Sequence, residues 1–165
     1  MRVLIAYQGN NKTNKQVAET MKKVFEEHGL DVTMQAVEPA VEMRLYDYLK
    51  EFRKKKGIPL KEAILDVSNY DLVVVGTPVL KFCPTPIMET YVRKLKGTKG
   101  KQFVLYCTPV GFAGTTIRRM ASILTTKGAK IKATLTISSI FELNEKKLAL
   151  VKEFAMRLLP KQASL

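Results

Sequence analysis

The sequence predicts an α/β protein, a doubly wound parallel sheet of five strands with helices on both faces. Short β-branched apolar runs alternate with amphipathic stretches at helical spacing, the pattern of repeated strand–helix–strand units. The 165 residues suit a single domain, 1–165, long enough for a sizeable core. Their 46% hydrophobic and 26% charged content is ordinary for a soluble globular chain.

The elements follow in order. "RVLIAY" reads as strand one and leads into the polar loop "QGNNKTN". Val17, Ala18, Met21, Val24 and Phe25 then recur at helical spacing, and Gly29 is a natural stop. His28, in the last turn, reads as a surface or capping residue. "LDVTMQAV" makes strand two and "YDLVVVGTPV" strand three, ended by Gly-Thr-Pro. Met88, Tyr91, Val92 and Leu95 mark a helix. "KQFVLYCTPV" is strand four, closed by a second Thr-Pro, and a loop and helix follow, stopped at Gly128. "IKATLTIS" alternates cleanly and is the best edge-strand candidate. Leu148, Val151, Phe154 and Leu158 give a closing helix before Pro160.

About thirty residues, 39–69, separate strands two and three, where a crossover helix needs about half that. Val41, Leu45, Tyr48, Leu49 and Phe52 form a helical stripe, and the basic cluster Arg53, Lys54, Lys55 and Lys56 follows. This basic helical insert reads either as a crossover helix packed on the sheet or as a docking element for an acidic partner or anionic surface.

Composition narrows the function. Two cysteines, Cys83 and Cys107, make neither a C-x-x-C pair nor a zinc pattern, and a single His argues against a Ser-His-Asp triad or a His-based metal site. No residue stands out as catalytic. Lys and Arg number 28 against 15 acidic residues, a formal charge of +13. That balance fits an acidic protein, nucleic acid or an anionic ligand, or simply a solvated basic exterior. Nucleic acid is the less supported partner, because aromatics scarcely interleave with the basic residues and no nucleic-acid motif occurs. No secretory signal or transmembrane span is visible, so a cytoplasmic location is expected.

Parallel sheets bind ligands beyond the carboxyl ends of their strands. The loops to weigh begin at Gln8, Thr77 and Thr108. Together, "GNNKTNKQVA", "YDLVVVGTPVLKFCPTPIMETYVRKL" and "YCTPVGFAGTTIRRMASILTTKGAKI" cover most of the motif-bearing chain and resemble the flavodoxin-like family of FMN-binding redox domains. The resemblance implies strand order 2-1-3-4-5, FMN as cofactor and electron transfer through it. Oligomeric state is open.

In that family the first loop, S-x-T-G-N-T-x-x-x-A, wraps the FMN phosphate. The corresponding residues are Gln8, Gly9, Asn10, Asn11, Lys12, Thr13 and Asn14, with Lys12 in place of a glycine. A helix N-terminus here offers free N–H groups, Thr13, Asn14, Asn10 and Asn11 further donors, and Lys12 a full charge. The same loop also reads as an ordinary capped helix start. The second loop supplies Thr77, Pro78, Val79, Leu80, Lys81 and Phe82, where Leu80 replaces the usual Trp or Tyr and Phe82 is the alternative wall. The third supplies Thr108, Pro109, Val110, Gly111, Phe112 and Gly114, with Phe112 as the opposite wall. The resemblance implies either an electron carrier with an acidic redox partner or a small FMN-dependent NAD(P)H or quinone oxidoreductase. Family electron carriers are acidic and this chain is basic. The alternative is a flavin-free module of the same fold that binds an acidic protein or polyanion.

Overall fold

The short apolar runs become strands and the amphipathic stretches between them become helices. A computed structural model describes residues 1–44, 46, 47, 50 and 57–161. In chain order it contains β1 (Arg2–Gln8), α1 (Lys12–Glu27), β2 (Asp31–Val37), β3 (Leu72–Leu80), the two-residue β4 (Cys83–Pro84), α2 (Pro86–Lys94), β5 (Gln102–Thr108), α3 (Thr116–Thr126), β6 (Lys130–Thr136) and α4 (Glu145–Leu158).

The sheet runs β2-β1-β3-β5-β6, and β1–β2, β1–β3, β3–β5 and β5–β6 are all parallel pairs. This is the expected order once β4 is counted. β4 is the unexpected sixth strand, pairing antiparallel with the end of β3 through Val79–Pro84 and Leu80–Cys83. β6 is an edge strand, as its alternation predicts, with exposed and half-buried residues in turn.

Side chains of a strand point alternately to the two faces, so each strand feeds two cores. Leu4, Ala6, Val73, Val75, Phe103 and Leu105 meet Ile87, Met88, Tyr91 and Val92 of α2 and Met120 and Leu124 of α3. Val3, Ile5, Leu72, Val74, Val104 and Tyr106 meet Val17, Met21 and Phe25 of α1 and Val151, Ala155 and Leu158 of α4. Each large apolar side chain wholly removed from water contributes about 1.5–3 kcal/mol. Near-continuous apolar runs in β1, β3 and β5 are what burial on both faces demands.

Of the described part of the connection between β2 and β3, residues 46, 47 and 50 are helical. Residues 57–67 return with Ile58 and Val67 fully buried in the α2–α3 core. Gln35 of β2 holds this return: its Nε2 donates to Ile64 O at 3.2 Å and its Oε1 accepts from Ile64 N at 2.8 Å. Tyr91 Oη also donates to Ile64 O, at 3.0 Å. Val41, expected on the helical stripe, is 70% exposed. Leu45, Tyr48, Leu49, Phe52 and the cluster Arg53, Lys54, Lys55 and Lys56 lie outside the described residues. At the far end of α1, His28 is the C-cap residue and its Nδ1 bonds Val24 O at 2.7 Å, a capping role as expected.

Candidate functional site

Parallel pairing brings the carboxyl ends of β1, β3 and β5 together, and a buried polar knot fixes the loops that leave them. Asn14, in the first turn of α1, is fully buried. Its Oδ1 accepts from Gln8 N at 3.0 Å and its Nδ2 donates to Thr108 Oγ1 at 3.3 Å. Tyr106 Oη donates to Asn14 O at 2.8 Å. Gln8 points to the other face, where Thr85 Oγ1 donates to its Oε1 and its Nε2 donates to Asn10 Oδ1 at 2.7 Å. Thr85 N donates to Thr77 Oγ1 at 3.3 Å. Strand ends and two helix starts are thus tied side chain to side chain, where unpaired polar groups would be costly.

The first loop leaves a helix N-terminus open. Asn11 is the N-cap of α1, and its Oδ1 accepts from Asn14 N at 2.8 Å. The backbone N–H groups of Asn10, Lys12 and Thr13 meet no acceptor among the described residues. They lie at the positive end of the helix dipole, an arrangement suited to an anion. Lys12 is exposed beside them, its Nζ 3.9 Å from a Glu142 carboxylate oxygen. Thr13 Oγ1 donates to Phe141 O at 3.4 Å. Asn11, Lys12, Thr13, Ile140, Phe141 and Glu142 line a groove of roughly 620 Å³, within the usual range for small-molecule sites.

The second and third loops offer apolar faces. Lys81 and Phe82 form the two-residue turn between β3 and β4, and Phe82 is 60% exposed. Phe82 O accepts from Thr115 N at 2.8 Å and from Thr115 Oγ1 at 3.2 Å, which binds this turn to the start of α3. Gly114 makes that approach feasible: it has φ +58°, and a Cβ there would sit 2.3 Å from Phe82 Cβ. Val110 and Phe112 are exposed on the third loop, and Gly111 O accepts from Ser138 Oγ at 2.7 Å.

The structure separates the expected residues into two groups. Gly9, Asn10, Asn11, Lys12, Thr13, Lys81, Phe82, Val110, Gly111, Phe112 and Gly114 lie at or near the surface of the loops. Gln8, Asn14, Thr77, Pro78, Thr108 and Pro109 are buried supports. Asn14, expected as an open donor, has its amide engaged within the protein. Leu80 packs against the α2–α3 core and Val79 is half-buried, so Phe82 is the exposed apolar group of its loop. Ile140, Phe141 and Glu142 were not anticipated. They follow the edge strand, whose loop the switch-point rule does not single out. The signal was "SSIFE", two apolar residues set among polar ones, and both Ile140 and Phe141 are indeed exposed.

Neither cysteine is placed as a catalyst. Cys107 is buried, its thiol pushed up by that burial, and half-buried Cys83 has Sγ 3.7 Å from Thr115 Oγ1. Among the described residues no cluster of three His, Cys, Asp or Glu side chains could hold a metal ion, and no helix is long and apolar enough to cross a membrane.

Strand order, two-sided helix cover and loops gathered at the carboxyl edge define a flavodoxin-like fold. A flavodoxin from the domain Archaea superposes with TM-score 0.67 at 16% identity, covering 96% of each chain. A candidate flavoprotein from Bacteroides uniformis gives TM-score 0.70 at 14% identity, over 92% of this chain and 97% of that one. A Lactobacillus acidophilus flavoprotein crystallised with FMN gives 0.60 at 18% identity, over 82% and 91%. No family model and no curated protein matches the sequence.

Proposed function

We propose that the chain is an FMN-binding redox protein, with the phosphate at the N-terminus of α1 and the flavin ring against the aromatic loops. One observation carries this reading. Unpaired helix amides and exposed aromatic side chains converge at the carboxyl edge of a flavodoxin-like sheet. The residues present suit the group. Asn10, Lys12 and Thr13 would direct N–H groups at the phosphate, Lys12 would add charge, and Phe82, Phe112 and Phe141 would give apolar walls.

FMN, when bound, would supply the electron chemistry, and the protein would supply binding, orientation and electrostatics. Lys12 would exchange its Glu142 contact for the phosphate. Asn14 would hold the phosphate loop and the Thr108 loop in fixed register. The single His caps the far end of α1, so the loops contain no imidazole for proton transfer. That favours an electron carrier over a reductase with its own acid and base. The fold of the Lactobacillus acidophilus flavoprotein and its bound FMN support the reading by likeness.

The experiment is titration of FMN fluorescence with the purified protein. Saturable quenching, weakened about tenfold or more in Lys12→Ala, is expected from losing a charged phosphate contact. A folded protein that is colourless and leaves FMN fluorescence unquenched would refute the proposal. It would favour a flavin-free module of this fold, the reading to which the Glu142 carboxylate beside Lys12 lends weight.

A further inference from the structure

We propose that the groove between α2 and α3 is the docking surface for an acidic protein partner, seated beside the loop that carries Phe82. That the partner exchanges electrons rests on the flavin reading above, whereas docking of an acidic protein stands on the groove itself. The two helices lie side by side on one face of the sheet and enclose an open groove of roughly 760 Å³. Arg93, Arg118, Arg119 and Lys127 line it. Among the described residues Glu89 alone opposes them, its carboxylate 2.8 Å from both Arg93 Nη2 and Arg119 Nε. Glu89 thereby fixes two guanidinium groups without cancelling the patch. Arg118 and Lys127 form no ion pair among the described residues.

The distribution of donors decides what kind of anion fits. Two of the three hydroxyl groups that line the groove are already spent: Thr126 Oγ1 donates to Ser122 O at 2.9 Å and Thr115 Oγ1 to Phe82 O at 3.2 Å. The amide that opens α3, Thr115 N, is spent on the same Phe82 O at 2.8 Å. Cations are spread along two helix flanks, with the Arg93 and Arg119 side chains 57% and 43% exposed. Spaced carboxylates on a protein surface match such a strip, and the chain's charge of +13 would steer them in. Thr115 lines the groove and donates to Phe82 O of the β3–β4 turn. A partner in the groove therefore borders the loop that exposes Phe82.

Binding of a fluorescent poly-glutamate peptide to the full chain, measured at low and high salt, tests this. The double variant R118E/K127Q should weaken binding about tenfold at low salt and flatten the salt dependence. The charge-matched variant K23E/K152Q alters exposed lysines on α1 and α4, which cover the opposite face, and should change binding less than about twofold. Equal loss in both variants, or loss in neither, would overturn the assignment. A single-stranded oligonucleotide that binds more tightly than the peptide, and is lost in R118E/K127Q, would also overturn it in favour of nucleic acid. FMN quenching is recorded on every sample. Failure there with the peptide pattern intact removes the flavin reading and leaves the docking surface standing.

Discussion

Lys81 and Phe82 occupy the tightest backbone in the candidate site, with φ of +48° and +62° in consecutive positions. Two-residue hairpins with both central φ positive normally carry Asn or Gly, because a Cβ in the left-handed region costs about 1–2 kcal/mol. Here the turn is held against that cost by Thr115 and by the space that Gly114 leaves. Strain retained at an exposed aromatic points to a use for the aromatic. Phe82→Gly is therefore expected to stabilise the fold by about 1 kcal/mol in urea unfolding, and to weaken FMN binding by about 1–2 kcal/mol. A variant that gained stability with unchanged FMN affinity would remove Phe82 from the ring site. The sequence offered Phe82 as a wall but not the strain, since a Lys-Phe pair is no turn signal.

Between elements, Glu89 is the clamp that joins α2 to α3. Burial raises its carboxyl pKa, but hydrogen bonds from Arg119 and Arg93 outweigh burial and hold it below the ordinary 4.5. A carboxylate depressed in the folded state stabilises the fold above its unfolded value and loses that contribution as pH falls through the folded one. Glu89→Gln should then cost about 0.5–1 kcal/mol at neutral pH, with the difference from wild type closing below about pH 4. Urea midpoints at several pH values check this. Strand and helix identities were legible at this scale because period 2 and period 3.6 were both clean. β4 was not, since two residues carry no periodicity. The return segment 57–67 was also hidden, because it is held by scattered contacts, Gln35 and Tyr91 at Ile64 and isolated bridges at Leu60 and Asp66, and not by a strand.

At the scale of the whole molecule, +13 on 165 residues is a field. Self-repulsion of that size opposes compactness and weakens as salt shortens its range to about 10 Å at 0.1 M. The urea midpoint is expected to rise with added sodium chloride, most steeply at low concentration, and a flat response would show that the ion pairs already balance the excess. The fold was largely legible because burial on both faces leaves continuous apolar strands and the loops between them carry recognisable spacing. The site was legible only as a set of loops. Which residues face outward and which are spent inside depended on partners such as Thr85 and Tyr106, far away in sequence.

Gly76 lies in the middle of β3, opposite Tyr106 of β5. A Cβ at Gly76 would fall 1.9 Å from Tyr106 Cζ, so the ring occupies the room that a side chain would take. That same ring carries the hydroxyl that holds Asn14. The two positions are coupled: a side chain at 76 would displace the aromatic at 106, and with it the brace beneath both loops.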